Sequence, residues 1–161
     1  MENYTMEGRT YRYYGQDPPL YPFGYGLSYT TFRYRDLVLS PAALPVCANL
    51  SVSVVLENTG QRDGEEVVQL YLRWEQASVP VPHWQLVAFR RVAVPAGRET
   101  KLSFGVVAEQ RAVWAGGWHL EPGTFTLFAG GQQPGQRTRA PSEVLSARFS
   151  VTGTARPLSG C

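Results

Sequence analysis

The chain has 161 residues, 43% of them hydrophobic and 12% aromatic, which supplies one domain of ordinary size with a core of its own. Its formal charge is +2 with only 17% charged residues, and the Lys and Arg are scattered, so the clustered basic footprint of a nucleic-acid binder is missing. No apolar run approaches the ~20 residues of a membrane span, and the start MENYTMEGRTYRYYG has no apolar secretory segment.

Residues 1–30 read as an arm of unusual composition. Eight of the nine tyrosines lie in the first 34 residues, and with Phe23 and Phe32 they make up half of the chain's twenty aromatics. Each such ring carries ~150–250 Å² of area that is costly to leave in water. The arm is therefore expected to pack on the rest of the chain or on a partner. Its densest stretch, LYPFGYGLSY (20–29), sets four rings among Pro22, Gly24 and Gly26. Neither a regular strand nor a helix tolerates those breakers. The expectation is an irregular strap whose path Pro22 fixes and whose Gly24 and Gly26 allow close backbone approach.

The remainder reads as short strands between tight turns. FRYRDLVLS (32–40) is the first. ANLSVSVVLEN (48–58) places Leu50, Val52, Val54 and Leu56 on one face, and EEVVQLYLRW (65–74) does the same with Val68, Leu70, Leu72 and Trp74. QLVAFRRVAV (85–94), then Leu102, Phe104 and Val106, then Phe125, Leu127 and Ala129, and finally Leu145, Ala147, Phe149 and Val151 continue the series. A period of two marks strands with one buried and one wet face. NTGQRDG, PAGR, EPGT and GGQQPG punctuate them with turn residues. EQRAVWAG (109–116) suggests a single helical turn. Seven or eight short strands without helical periodicity predict an all-β fold, an immunoglobulin or fibronectin type III-like β-sandwich of about seven strands over 31–152, with the arm before it and a disordered tail at 153–161.

The segments GRTYRYY (8–14) and PLYPFGYGLSYTTF (19–32) resemble the stretch that leads into the C-terminal fibronectin type III-like domain of family 3 glycoside hydrolases, in particular its β-xylosidase and β-glucosidase-like branch. The resemblance continues through VSVVLENTGQRDGEEVVQLYLR (52–73), LVAFRRVAVPAGRETKLSF (86–104) and GGWHLEPGTFTLFAGG (116–131), covering roughly 8–151 in order. It departs around VPVPHWQLVAF (79–89) and over the last ten residues. In that family the domain follows a barrel bearing an aspartate nucleophile and an α/β sandwich bearing a glutamate acid/base, and neither is in this chain. The resemblance implies the last fifth or so of a retaining, exo-acting enzyme of carbohydrate catabolism. It makes Tyr21, Phe23, Tyr25, Leu27 and Tyr29 an entry strap that docks on the catalytic domains of the parent glycosidase, which is expected to be secreted or extracellular.

The residues themselves offer no catalytic pair. Retaining glycoside hydrolysis needs two carboxyls about 5–5.5 Å apart. Adjacent Glu65 and Glu66 point to opposite faces of a strand, and Glu57 is expected near one of them at a hairpin end, as solvated charge. His83 and His119, with Cys47 and Cys161, are too few for an ordered metal site. No GxSxG and no phosphate loop occur, and Ser28 reads as a turn hydroxyl. Catalytic residues, metal and cofactor are thus all expected to be none. The two cysteines leave a single bridge and two free thiols equally open. Asn3 and Asn49 head sequons that matter only in a secretory compartment. The competing reading is an independent immunoglobulin-like module that binds carbohydrate or protein, with Trp84 in the Pro-rich loop as the tryptophan best placed for exposure and sugar stacking.

Overall fold

A computed structural model describes residues 5–14, 19–135 and 143–161. After a one-turn helix at Thr10–Tyr13 and the strap, the strands run β1 (Phe32–Ser40), β2 (Ala43–Pro45), β3 (Leu50–Asn58), β4 (Gly64–Trp74), β5 (Gln85–Val94), β6 (Glu99–Val106), β7 (Val113–Trp114), β8 (Trp118–Leu120), β9 (Gly123–Gly130), β10 (Val144–Thr152) and β11 (Arg156–Pro157). One sheet has the order β1-β3-β6. It faces a second of order β2-β10-β9-β4-β5, and a small third sheet, β11-β8-β7, closes one end. All pairings are antiparallel except that of β2 with β10. The expected β-sandwich is the observed fold. The single turn suggested for 109–116 is a 3-10 turn at Ala108–Arg111.

The alternating faces meet as their periods require. Leu50, Val52, Val54 and Leu56 of β3, with Leu102, Phe104 and Val106 of β6, pack against Val68, Leu70 and Leu72 of β4, Phe125 and Leu127 of β9, and Phe149 and Val151 of β10. β4 departs from simple alternation, because the five residues Val68–Leu72 are all buried. Its outer face is covered as well as its inner one, which a period of two does not announce.

β3 and β4 lie in different sheets, so the turn between them is a crossing and not a hairpin. The expectation that Glu57 meets Glu65 or Glu66 at a hairpin end is therefore wrong. Asn58 organises the crossing from full burial. Its amide nitrogen donates to the carbonyls of Arg62 (2.7 Å) and Val94 (2.9 Å). Its amide oxygen accepts from Gly60 N (3.1 Å) and Thr30 Oγ1 (2.6 Å). All of its hydrogen-bonding capacity is used, as burial of an amide demands. A Cβ on Gly60 would stand 2.2 Å from Thr30 Oγ1, so the Asn-Thr-Gly order is steric as well as polar.

The final residues, expected to be a disordered tail, are folded. Arg156 and Pro157 pair with Leu120 and His119 of β8. Leu158 starts a 3-10 turn and packs on the core, and Cys161 is bonded to Cys47 across 114 residues of sequence. A polar-looking segment is thus held by a covalent link whose partner lies far away in sequence. The buried Arg111 clamps the same place, donating through Nη2 to the carbonyls of Val46 (3.3 Å) and Ala48 (2.5 Å) on either side of Cys47. Burial lowers the pKa of this guanidinium, with Glu109 partly opposing the shift. Closing so long a loop restricts the unfolded chain by about 3–5 kcal/mol. Cys47→Ser with Cys161→Ser should lower Tm by roughly 10 °C in calorimetry and release the amide of residue 161, which donates to Leu158 O in the parent chain, to hydrogen exchange. A Tm within 2 °C of the parent chain would contradict this account.

Candidate functional site

The strap is seated on the outer face of β4 by a buried amide. Gln69, 4% exposed, donates from Nε2 to the carbonyls of Gly24 (3.0 Å) and Gly131 (2.9 Å), while its Oε1 accepts from Tyr71 Oη (2.6 Å). Above it Tyr11 stacks on Phe23 with centroids 4.2 Å apart and meets the ring of buried Tyr71 edge-on at 6.3 Å. Gln133 completes the seat: its backbone N–H donates to Phe23 O (2.8 Å) and its Nε2 to Tyr11 O (3.0 Å). Burial pushes the Tyr71 hydroxyl well above its usual pKa. Gly24 has φ +80°, and a Cβ there would lie 2.0 Å from Gln69 Oε1. Gly26 has nothing near its absent Cβ, so the expected close approach holds for Gly24 and fails for Gly26.

The five strap residues thus divide. Phe23 stacks on Tyr11, and Tyr25 is half-buried with its ring 5.4 Å from that of Tyr21. Leu27 and Tyr29 are 89% and 95% exposed, and Leu20, which sequence reasoning passed over, is 84% exposed. The sheet next to Gln69 also carries exposed apolar residues. Phe89 is paired with Gln69 in register and is exposed, and Val67, two residues from Gln69 on the same face, is also exposed. Both sit at positions a strand pattern assigns to the wet side, so an apolar residue there was the available signal.

The tryptophans are placed differently from the expectation. Trp84 is half-buried: Phe128 meets its ring edge-on at 5.2 Å, the Arg73 guanidinium lies 5.4 Å from its centroid, and Gly135 presses against it. These three neighbours cover part of the ring. The exposed rings are Trp114 and Trp118, cross-strand partners in the β7–β8 hairpin with centroids 5.5 Å apart at 75°. They border a cleft of about 320 Å³ whose lining includes Arg12, Trp74, Pro82, Gln85 and Glu109.

The carboxylates are scattered. Glu57 accepts from Arg33 Nη2 at 2.7 Å and lies 3.8 Å from Arg35 Nε. Glu65 pairs with Arg91, and Asp63 accepts from Ala96 N at 2.9 Å. Glu66 stands apart, half-buried, with its carboxylate accepting from Val67 N (2.8 Å). Desolvation raises its pKa, against the lowering effect of that bond and of Tyr34. The buried Tyr34 hydroxyl lies beside this carboxylate without a hydrogen bond of normal geometry to it. Among the described residues no three His, Cys, Asp or Glu gather as metal ligands, and no helix is long and apolar enough to cross a membrane. Asn49 is exposed, its Oδ1 accepting from Ala108 N at 3.0 Å. Asn3 lies outside the described residues.

Two substitutions check this geometry. Gln69→Ala removes the link between strap and sheet and strands the Tyr71 hydroxyl, at a cost of about 1–3 kcal/mol. Limited proteolysis should then cut within 19–29 before the sandwich, whereas parent-like protection would argue against the link. Because the folded pKa of Glu66 is raised, the proton it binds favours the folded state at low pH, and the ionised form costs stability at neutral pH. Glu66→Gln should therefore leave Tm equal or up to about 2 °C higher at pH 7, and the difference should vanish as acid protonates the parent carboxyl. A destabilised variant at pH 7 would contradict this.

Residues 66–133 match the fibronectin type III-like domain family. The chain is 39% identical over 124 residues to a periplasmic β-glucosidase of Salmonella typhimurium, covering 75% of this chain and 16% of that enzyme. It is 34% identical over 133 residues to a putative β-xylosidase of Formosa agariphila, covering 80% of this chain and 18% of that protein. Among solved structures, the β-glucosidase of Listeria innocua in complex with gluconolactone aligns with a TM-score of 0.75 at 32% identity, over 84% of this chain and 18% of that one. β-Glucosidase 3B of Thermotoga neapolitana in complex with glucose aligns with a TM-score of 0.72 at 32% identity, over 86% and 18%. The chain spans about a sixth of the length of the curated relatives it matches. The chain belongs to the fibronectin type III-like domains of the family 3 glycoside hydrolases, the β-glucosidases and β-xylosidases.

Proposed function

We propose that this chain serves as the accessory domain of a retaining, exo-acting family 3 glycoside hydrolase that cleaves β-glucosides or β-xylosides, and that it docks on and stabilises the catalytic domains through its strap. The observation that carries this reading is the set Leu20, Tyr21, Leu27 and Tyr29, left exposed on a strap whose other side is bolted to β4 through Gln69. Several large apolar side chains left exposed within ten residues of chain are the mark of an interaction site, and Phe89 and Val67, beside Gln69 on the sheet, are exposed too. Catalysis would come from the other domains, since each carboxylate described above is isolated or paired with arginine. The Cys47–Cys161 bond supports an oxidising compartment for the parent protein, where Asn49 would be open to glycosylation.

Deleting the whole arm would uncover Tyr71 and Gln69, so the test uses side-chain changes. The triple variant Leu20→Ser, Leu27→Ser, Tyr29→Ser should lose more than about half of the emission of a dye that binds exposed apolar surface, with circular dichroism unchanged. The purified chain should leave aryl β-xylosides and β-glucosides intact. Unchanged dye emission would sink the docking face. Turnover above background would sink the accessory role and direct mutation to Glu57, Glu65 and Glu66.

A further inference from the structure

The end of the sandwich next to the third sheet has the features of a built site that the accessory role does not use. The hairpin β7–β8 turns through Ala115-Gly116-Gly117, with Ala115 N–H donating to Gly117 O at 3.0 Å. This sets Trp114 and Trp118 directly opposite each other. The hairpin is stiffened from behind, because β11 pairs with β8 and is tethered by the Cys47–Cys161 bond. A second wall is the one-turn helix carrying Arg12 and Tyr13, fixed by a hydrogen bond from His83 N to Arg12 O (2.8 Å). The third is the rigid loop Pro80-Val81-Pro82, and Leu72, Trp74 and Phe125 form the floor.

The cleft combines apolar rings with open polar groups at its edge. Arg111 and Trp74 line it, but Arg111 Nε and Trp74 Nε1 are shut off inside the fold and are not presented to an occupant. The Glu109 carboxylate, exposed at the rim, makes no side-chain hydrogen bond or ion pair among the described residues. The Gln85 amide nitrogen is committed to Gln110 O at 3.2 Å, which leaves its oxygen as an acceptor. A purely apolar occupant would cover these acceptors without pairing them, which is unfavourable. An anion would meet Glu109. A polyol that presents both an apolar face and hydroxyls able to donate and accept suits the mixture. The volume of about 320 Å³ is at the small end of ligand pockets, the scale of one or two sugar rings.

We propose that the cleft bordered by Trp114 and Trp118 is a saccharide-binding subsite, in which a neutral pyranose lies against the indole rings and its hydroxyls bond to Arg12, Gln85 and Glu109. It is a site for holding sugar, not for cleaving it. It stands apart from the strap face, and its test is independent of the docking reading.

Isothermal calorimetry and intrinsic tryptophan fluorescence on the 161-residue chain, titrated with cellotetraose and xylotetraose, should show saturable binding of at least one of them. Trp114→Ala and Trp118→Ala should each weaken it at least about tenfold, and Glu109→Gln should weaken it several-fold. Both indoles are exposed, so circular dichroism should stay unchanged; Glu109→Gln, which removes only a charge at the rim, provides a second reading. Trp84→Phe and the triple strap variant should bind as the parent chain does. No saturable response to either sugar up to tens of millimolar would overturn the proposal. So would parent-like affinity in Trp114→Ala and Trp118→Ala, or binding lost only in the strap variant, which would move the sugar to the other face.

Discussion

The carboxamide of Gln69 is the contact on which the outer half of this molecule is arranged. A glutamine on the outward face of a sandwich strand ordinarily points into water. Here it is nearly fully buried, with its nitrogen shared between a strap carbonyl and the β9 end and its oxygen taken by Tyr71. A buried amide is costly unless its donors and acceptor are matched. The strap must therefore lie where Gly24 brings its carbonyl within reach, and the residue there must have no Cβ. That placement stacks Phe23 on Tyr11 and covers Tyr71. It leaves Leu27 and Tyr29 facing outward and stands Arg12 beside the cleft.

Asn58 plays the corresponding part between the two sheets. It joins Thr30 at the end of the strap, Gly60 and Arg62 in the crossing turn, and Val94 at the end of β5. The sandwich and its arm are thus coupled by two buried amides, each with a glycine held against its neighbourhood. Such polar groups, fully satisfied, fix a geometry more sharply than apolar contacts do, because a small displacement leaves a donor unpaired in a dry place.

The opposite end is secured by different chemistry. A disulfide, a buried guanidinium on two carbonyls, and a two-residue strand together hold the hairpin that displays Trp114 and Trp118. Exposed tryptophans on a rigid hairpin lose little conformational freedom on meeting a ligand, which is the physical requirement for binding through few contacts. The exposed strap face and the cleft are separate surfaces joined through the arm. Its residues Tyr11 and Phe23 seat the strap, and Arg12 and Tyr13 line the cleft.

Strand positions and the inward sets from Leu50–Leu56 to Phe149 and Val151 were legible in the sequence, because a period of two with turn residues between is a local signal that burial then enforces. The motif resemblance likewise identified the family from PFGYGLSY and NTGQRDGEEVVQLY. What the sequence could not decide depends on residues far apart in the chain. Glu57 and Glu66 sit close in sequence yet lie on different sheets, since a crossing turn and a hairpin turn share the same composition. Trp84 lost its exposure to Phe128 and Gly135, while Trp114 and Trp118 gained a cleft from the arm and the proline loop. The final residues looked unstructured because their order comes from Cys47, 114 residues away. Local pattern set the strands, and only long-range packing decided which polar groups were buried, which rings were left open and which ends were closed.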